Sequence, residues 1–252
     1  MGTTVSKTAS VIIPAYNAAK TIEKAIKSVG GQTYSPIEII VVDGNSSDNT
    51  VAILKSLQQQ FAITYISEKD KGVYDAMNKG IRMAKGEWLY FLGADDWFHD
   101  ADVIRDILAD NTADKYDVIY GDVIFETTKR RYGGAYNTFD ILQQNISHQA
   151  IFYKCDLFSK LGDYDLKYPI LADYVFNLKW FSQKNVKRKY IHRAIAIFGE
   201  EGLSSTKRDM IYKKARVQLV KENFGAFWFL YALFFVPVID RIKKLKRKLT
   251  KP

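Results

Sequence analysis

Cysteine is nearly missing from this 252-residue chain: Cys155 stands alone, which excludes a disulfide framework and fits a reducing compartment. Low-complexity tracts and internal repeats are absent, so neither a disordered linker nor a repeat array is expected. Met1 to Ser10 is small and polar without an apolar segment, so no secretory signal and no mature export are expected. Two glycine signatures are missing as well. No G-x-G-x-x-G follows the first strand and no G-x-x-x-x-G-K-[ST] occurs anywhere, so a dinucleotide dehydrogenase and a P-loop enzyme both lose their main support. Finally, no acid follows Asp240, whereas Arg241, Lys243, Lys244, Lys246, Arg247, Lys248 and Lys251 carry seven of the nine net positive charges, leaving +2 for the rest. A nearly neutral body with a basic tail argues against a broad nucleic-acid surface.

What is present alternates. Ser10–Ile13 reads as a strand closed by Pro14, followed by the loop Ala15-Tyr16-Asn17 and a helix from about Thr21 to Val29. Ile37–Val42 is an almost unbroken β-branched run, the pattern of a central parallel strand covered on both faces. The turn Asp43-Gly44-Asn45-Ser46-Ser47-Asp48, a helix over Thr50–Phe61 and a strand over Ile63–Ser67 come next. An amphipathic helix from about Tyr74 to Ala84, a Lys85-Gly86 stop and the strand Trp88–Leu92 complete three strand-helix steps and a fourth strand. Such alternation predicts an α/β fold of right-handed βαβ units whose strand ends share one rim.

Ligands in open α/β sheets sit outside the carboxyl ends of the strands. Asp43 and Asp70 are placed there to grip a base and ribose. Gly93-Ala94-Asp95-Asp96 ends the fourth strand, and its two carboxylates suit Mg²⁺ or Mn²⁺ completed by substrate phosphates. The alternative for Asp95-Asp96 is a solvated pair capping a helix that begins near Ala101.

Four stretches in order, VIIPAYN, VVDGNSSDNT, EKDKGVYDAMNKGI and KGEWLYFLGADD, resemble the successive motifs of the family 2 glycosyltransferases, over roughly Val11 to Gly202. The resemblance implies a GT-A fold, Rossmann-like with a mixed, mostly parallel sheet flanked by helices. It implies that Pro14, Ala15, Tyr16 and Asn17 border a uridine, that Asp43 contacts the base, and that Asp70 lies beside the nucleoside. Asn78 and Ala94 join the donor-binding set. The family's D-x-D element falls on Gly93-Ala94-Asp95, so the first carboxylate is replaced by glycine and metal binding rests on Asp95 and Asp96. An arginine frequent in the family is replaced by Met77, which passes phosphate contact to Lys71 or Lys79.

The second half reads as the acceptor side. Asp117–Val123 looks like a strand ending in Gly121-Asp122, and Lys129-Arg130-Arg131 before Gly133-Gly134 reads as a solvated hairpin, with a phosphate contact as the alternative. In Ser147-His148-Gln149-Ala150, His148 and Gln149 are candidates for diphosphate or acceptor, because relatives carry a similar His-Gln. Asp173 opens a largely apolar helix, Asp173–Gln183, where an aspartate serves equally as an N-cap. By the resemblance it matches the family's general base, which takes the proton of a sugar hydroxyl as the new bond forms. Ala194–Gly199 reads as a strand, and Glu200 to Ser205 after it, including Glu201, looks like the segment that closes over the substrates in relatives.

Phe224–Ile239 is strongly apolar but shorter than the roughly 20 residues of a spanning helix, and Pro237 interrupts it. With the basic run behind it, this C-terminal amphipathic helical appendage fits an anionic membrane surface; a helix packed on the domain or a homodimer contact are its alternatives. The expected layout is a tail at residues 1–9, a catalytic domain over 10–204 with halves 10–97 and 98–204, and a membrane-associating segment over 205–252. The whole reads as an inverting, divalent-cation-dependent transferase. It is expected to move sugar from a UDP-sugar to a lipid-linked glycan, in capsule or O-antigen assembly, on the cytoplasmic face of a bacterial plasma membrane. A nucleotidyltransferase and a non-catalytic nucleotide-binding scaffold remain the alternatives.

Overall fold

The computed structural model describes residues 7–109, 111–199 and 209–239. Its first half is the expected parallel unit: β1 (Ala9–Ala15), β2 (Ile37–Asp43), β3 (Ile63–Ser67) and β4 (Trp88–Phe91), in the order β3-β2-β1-β4. The connections are α1 (Ile22–Gly30), α2 (Thr50–Leu57) and α3 (Val73–Met83). Strand side chains alternate between two cores. Ile12, Ile40 and Val42 enter the one covered by α3, while Val11, Ile13, Ile39 and Val41 enter the one covered by α1. On α1 the buried set Ile22, Ala25, Ile26 and Val29 follows helical spacing, which fixes the face it presents.

Three local boundaries differ from expectation. β1 runs through Pro14 to Ala15, because pairing with β4 ends at Ile12–Phe91 and Pro14 falls on that side, where no ladder bond needs its missing N–H. α2 stops at Leu57 because Phe61 turns in and lays its ring against Gly30, where no side chain competes for the space. At the N-terminus Ala9 already pairs with Ile37 and Trp88, and Lys7 is buried against Asp114 at 3.2 Å, so residues 7–9 of the expected tail over 1–9 belong to the folded domain.

The second half adds β5 (Trp97–Phe98), α4 (Val103–Leu108), β6 (Val118–Phe125), β7 (Arg131–Tyr132), α5 (Thr138–Gln143), β8 (Ile151–Lys154), α6 (Asp156–Leu161), α7 (Ala172–Ser182) and β9 (Arg188–Phe198). Among the described residues the sheet has nine strands and continues β4-β8-β6-β9-β5, with β8 antiparallel to both neighbours and β7 a hairpin on β6. β6 does not end at Gly121-Asp122. It bulges there against β9, because Gly121 lies under the Arg193 carbonyl and the Asp122 carboxylate turns inward to Arg131 Nε at 2.5 Å and the Gly134 N–H at 2.6 Å. Arg131 is thereby the structural arm of a hairpin.

Two helices follow, α8 (Met210–Phe224) and α9 (Ala226–Phe234), separated by Gly225 at φ 84°, and residues 236–239 are again helical. Asp209 caps α8 through the Tyr212 N–H at 2.8 Å and also accepts the Ile170 and Leu171 N–H groups, which ties the pair to the start of α7. α9 lays Trp228 and Tyr231 edge-on against Phe139 of α5. Its other side, with Phe227, Leu230 and Phe234, is exposed, as are Phe235 and Val238 beyond it. No helix among the described residues is long and apolar enough to cross a membrane. The basic run from Arg241, the segment Glu200–Ser205 with Glu201, and the boundary expected at residue 204 lie outside the described residues.

Candidate functional site

The rim forms because β1, β2 and β3 end together and their loops are laced to one another. The Asn17 side-chain oxygen accepts the Ser47 N–H at 2.9 Å, and the Asn17 N–H reaches Ser46 Oγ at 2.8 Å. The Ala18 N–H meets Thr50 Oγ1 at 2.8 Å and the Ala19 N–H meets Asp48 at 3.0 Å. Asn17 takes a left-handed φ of 49°, which asparagine tolerates, and this leaves Tyr16 standing 67% exposed at the mouth. Pro14 and Ala15 are buried behind it. Asp43 is fully buried; it receives Ser67 Oγ at 2.6 Å, the Ser46 N–H at 3.0 Å and the Ser46 hydroxyl. Gly44 is what lets the two sides of the slot close: a Cβ there would lie 2.6 Å from Asp70 Oδ2 and 3.4 Å from the Tyr16 ring. Tyr16, Gly44 and Asp70 thus face one another, with Asp43 beneath.

The two lysines differ. Lys71 is exposed beside Asp70, whereas Lys79 is held by Glu68 at 2.7 Å and by Asp75 at 3.8 Å, and the hydrogen bond it donates to Glu68 raises its pKa. Asn78 does not reach the rim. It is buried, with both amide atoms on Tyr164, donating to its carbonyl at 2.9 Å and accepting its N–H at 3.0 Å, so it clamps α3 to the segment before α7. Met77 is likewise core.

At the end of β4 the two carboxylates separate by role. Asp96 is turned inward: it accepts the Gly199 N–H at 2.7 Å, Gln149 Nε2 at 2.7 Å and the Gly93 N–H at 3.2 Å. Burial first, and the charge of Asp95 second, push its pKa up to about 7, against those donors and His148. Asp95 and Ala94 remain half-buried at the rim. Among the described residues no group of three or more His, Cys, Asp or Glu side chains is placed to hold a metal. The donor set therefore fits a hard cation only where one rim carboxylate, Asp95, is supplemented by ligand oxygens, which is how such ions bind beside phosphates. The expectation that metal binding rests on both Asp95 and Asp96 does not match the placement of Asp96, since its oxygens already serve three protein donors.

Asp173 is 5% exposed at the second residue of α7, with Leu171 at the N-cap position, so its carboxylate is not the cap. Its Oδ1 accepts the Tyr74 hydroxyl and the Tyr174 N–H, each at 2.8 Å; its Oδ2 accepts Asn145 Nδ2 at 2.8 Å and stands 3.4 Å from His148 Nδ1. Burial, then the neighbouring Asp173 charge, raise the Tyr74 pKa well above its ordinary value, so the phenol stays a donor. The short turn His148–Ala150 joins the two acidic centres: His148 points to Asp173, and the next residue, Gln149, holds Asp96. Gln149 is buried and shared between Asp96 and Ser147, so it braces the site, while His148 keeps a partly exposed ring. Gly44, Tyr74 and Asn145 were not foreseen. The glycine reads as an ordinary turn residue, Tyr74 reads as one more apolar position on α3, and an isolated asparagine carries no pattern.

The model of the family described as Glycosyl transferase family 2 matches residues 10–166. A Mycobacterium bovis protein named PGL/p-HBAD biosynthesis glycosyltransferase is 40% identical over 210 residues, 81% of this chain and 82% of its own. An uncharacterized glycosyltransferase of Mycobacterium tuberculosis is 34% identical over 192 residues, 70% of each chain. Among solved structures, S. aureus TarS in complex with UDP-GlcNAc superposes with a TM-score of 0.71 at 19% identity, covering 90% of this chain and 72% of its own. The mannosyltransferase PcManGT of Pyrobaculum calidifontis, in complex with GDP-Man and Mn²⁺, gives 0.64 at 18% identity over 93% and 72%. At those identities the two structures speak for the fold alone.

Proposed function

This chain belongs to glycosyl transferase family 2, and from that premise we propose that it transfers a sugar, with inversion, from a UDP-sugar to a lipid-linked glycan in bacterial surface-polysaccharide assembly, capsule or O-antigen. The observation that carries the reading is the turn at His148-Gln149, which links the buried Asp173 carboxylate, held by three protein donors, to the carboxylates at the end of β4. The slot between Tyr16, Gly44 and Asp70 takes the uracil and ribose, Tyr16 offering a ring face and Asp43 stiffening the floor. The exposed Lys71 takes diphosphate, since Lys79 is already engaged. Asp95 would hold a divalent cation, Mn²⁺ or Mg²⁺, together with diphosphate oxygens, and such an ion would offset the negative charge that grows on the departing UDP.

Asp173 accepts the acceptor hydroxyl's proton while the new bond to C1 forms and the bond from C1 to the phosphate oxygen breaks. The Tyr74 and Tyr174 donors hold Oδ1, leaving the Oδ2 edge toward His148 for the hydroxyl. His148, partly exposed, contacts the acceptor or the leaving diphosphate.

Gly44→Ala tests the slot. Its Cβ displaces the Asp70 carboxylate, the movable end of a side chain, so UDP affinity is expected to fall by about tenfold while the unfolding temperature changes little. Calorimetric titration with UDP reads the first and a thermal melt the second; unchanged affinity would place the nucleotide elsewhere.

The enzyme is further proposed to work as a peripheral protein on the cytoplasmic face. Phe227, Phe234 and Phe235 are exposed at 69%, 62% and 61%, and the cationic run follows them in sequence. Each Lys or Arg near an anionic surface contributes on the order of 1 kcal/mol. Co-sedimentation with phosphatidylserine vesicles is expected for the full chain, with several-fold loss for Phe234→Glu/Phe235→Glu; equal sedimentation of both proteins would count against this face.

A further inference from the structure

The hydrogen bonds behind Asp173 form a chain with one direction. An indole N–H only donates, so Trp180 Nε1, 2.8 Å from Asn177 Oδ1, fixes that oxygen as an acceptor; the Tyr153 hydroxyl adds a second donor to it at 2.9 Å. The Asn177 amide nitrogen must then point the other way, and it reaches Asn145 Oδ1 at 2.8 Å and the Ile146 carbonyl at 3.0 Å. With its own oxygen occupied, Asn145 has its Nδ2 turned to Asp173 Oδ2 at 2.8 Å. Trp180, Asn177 and Tyr153 are completely buried, whereas Asn145 is half-buried where this interior chain meets the site. A buried polar chain of this kind is costly unless every member is satisfied, and when satisfied it fixes a single arrangement.

We propose that Asn145, its amide oriented by Asn177 and through it by Trp180, is a positioning residue that holds the Asp173 carboxylate as an acceptor with the Oδ2 edge open toward His148. The proposal rests on Asp173 being the base, and it adds why that carboxylate faces the acceptor in one rotamer. Tyr74, whose single hydroxyl proton is shared between Asp173 Oδ1 at 2.8 Å and the Ile170 carbonyl at 2.7 Å, lies against the opposite oxygen, so the carboxylate is flanked at both ends.

The test combines Asn145→Ala with Asp173→Asn, singly and together, on the full chain. For Asn145→Ala, kcat of UDP release is expected to fall about 10- to 100-fold, with donor KM and UDP affinity within about twofold. In the Asp173→Asn background the same substitution is expected to cost less than about twofold, because the group it positions is gone. Equal losses in both backgrounds, or an unchanged kcat, overturn the proposal. Trp180→Phe keeps a ring in the core and removes only the anchoring N–H, and a kcat loss of about threefold or more is expected. The Trp180 indole N–H resonance, read by heteronuclear NMR without substrate, is expected to move in Asn145→Ala; a stationary resonance overturns the chain whatever the reaction. A wild type that releases no UDP from any donor removes the transfer reading itself, whereas an active wild type matched by Asn145→Ala removes only the positioning role.

Discussion

Asp173→Asn is expected to lower the rate of sugar transfer by about 10²- to 10⁴-fold, the range for loss of a general base, while UDP affinity stays within about twofold. The substitution is nearly isosteric, so its effect on folding can be separated from its effect on chemistry. The amide oxygen still accepts from Tyr74 and the Tyr174 N–H, but the amide nitrogen then faces Asn145 Nδ2, donor against donor. Leaving one such pair unsatisfied costs about 1–3 kcal/mol, which lowers the unfolding temperature by about 2–4 °C per kcal/mol in a chain of this size. The protein therefore folds, binds nucleotide and turns over slowly. A variant that retains full transfer rate would move the base to another group, and His148 is the neighbour on that edge of the carboxylate.

Restoring the carboxylate that the D-x-D comparison finds missing is expected to damage the enzyme. A Cβ at position 93 would fall well inside contact with Asp96 Oδ2 and 3.0 Å from Asp95 Oδ1, so the backbone of this turn has closed around its two acids. Gly93→Asp displaces Asp96 from Gln149 and from the Gly199 N–H, loosening both the His148-Gln149 turn and the end of β9. It also adds a third like charge beside Asp95 and Asp96. Overpacking of this sort costs about 1–3 kcal/mol, and UDP release is expected to drop at least about tenfold. Gly93→Ala is expected to show the steric part alone, with a smaller loss. A Gly93→Asp protein with raised activity at the same melting temperature would mean that position 93 is an open ligand position rather than a space already filled.

Much of the fold could be read from local pattern, and the places where it could not are physically specific. The β-branched run at Ile37–Val42 and the alternating helices gave the parallel half to within a residue or two at most ends, because both sheet faces are covered and periodicity alone sets burial. Pro14 read as a stop, yet it continues β1, since the side of the strand it faces has lost its partner. The mixed half was less legible: that β8 runs antiparallel between β4 and β6, and that β6 bulges at Gly121-Asp122, depend on contacts between residues far apart in sequence. At the site, acidic residues at strand ends pointed to the rim, but which acid faces inward depends on Gln149 and Gly199, more than fifty residues away. Asn78 was misplaced for a related reason, because helical phase alone does not say whether a buried amide meets ligand or backbone.

The central claim is tested most directly by UDP release from the full chain over a panel of UDP-sugars, with GDP-mannose as a control, in Mn²⁺ or Mg²⁺ and in excess EDTA, with and without bacterial lipid extract as acceptor source. Cation-dependent release from one UDP-sugar, stimulated by the lipid fraction, is the predicted result. Tight UDP binding with no release from any donor, lipid extract included, would contradict it and leave a nucleotide-binding scaffold; release from GDP-mannose alone would keep the transferase and overturn the choice of nucleotide.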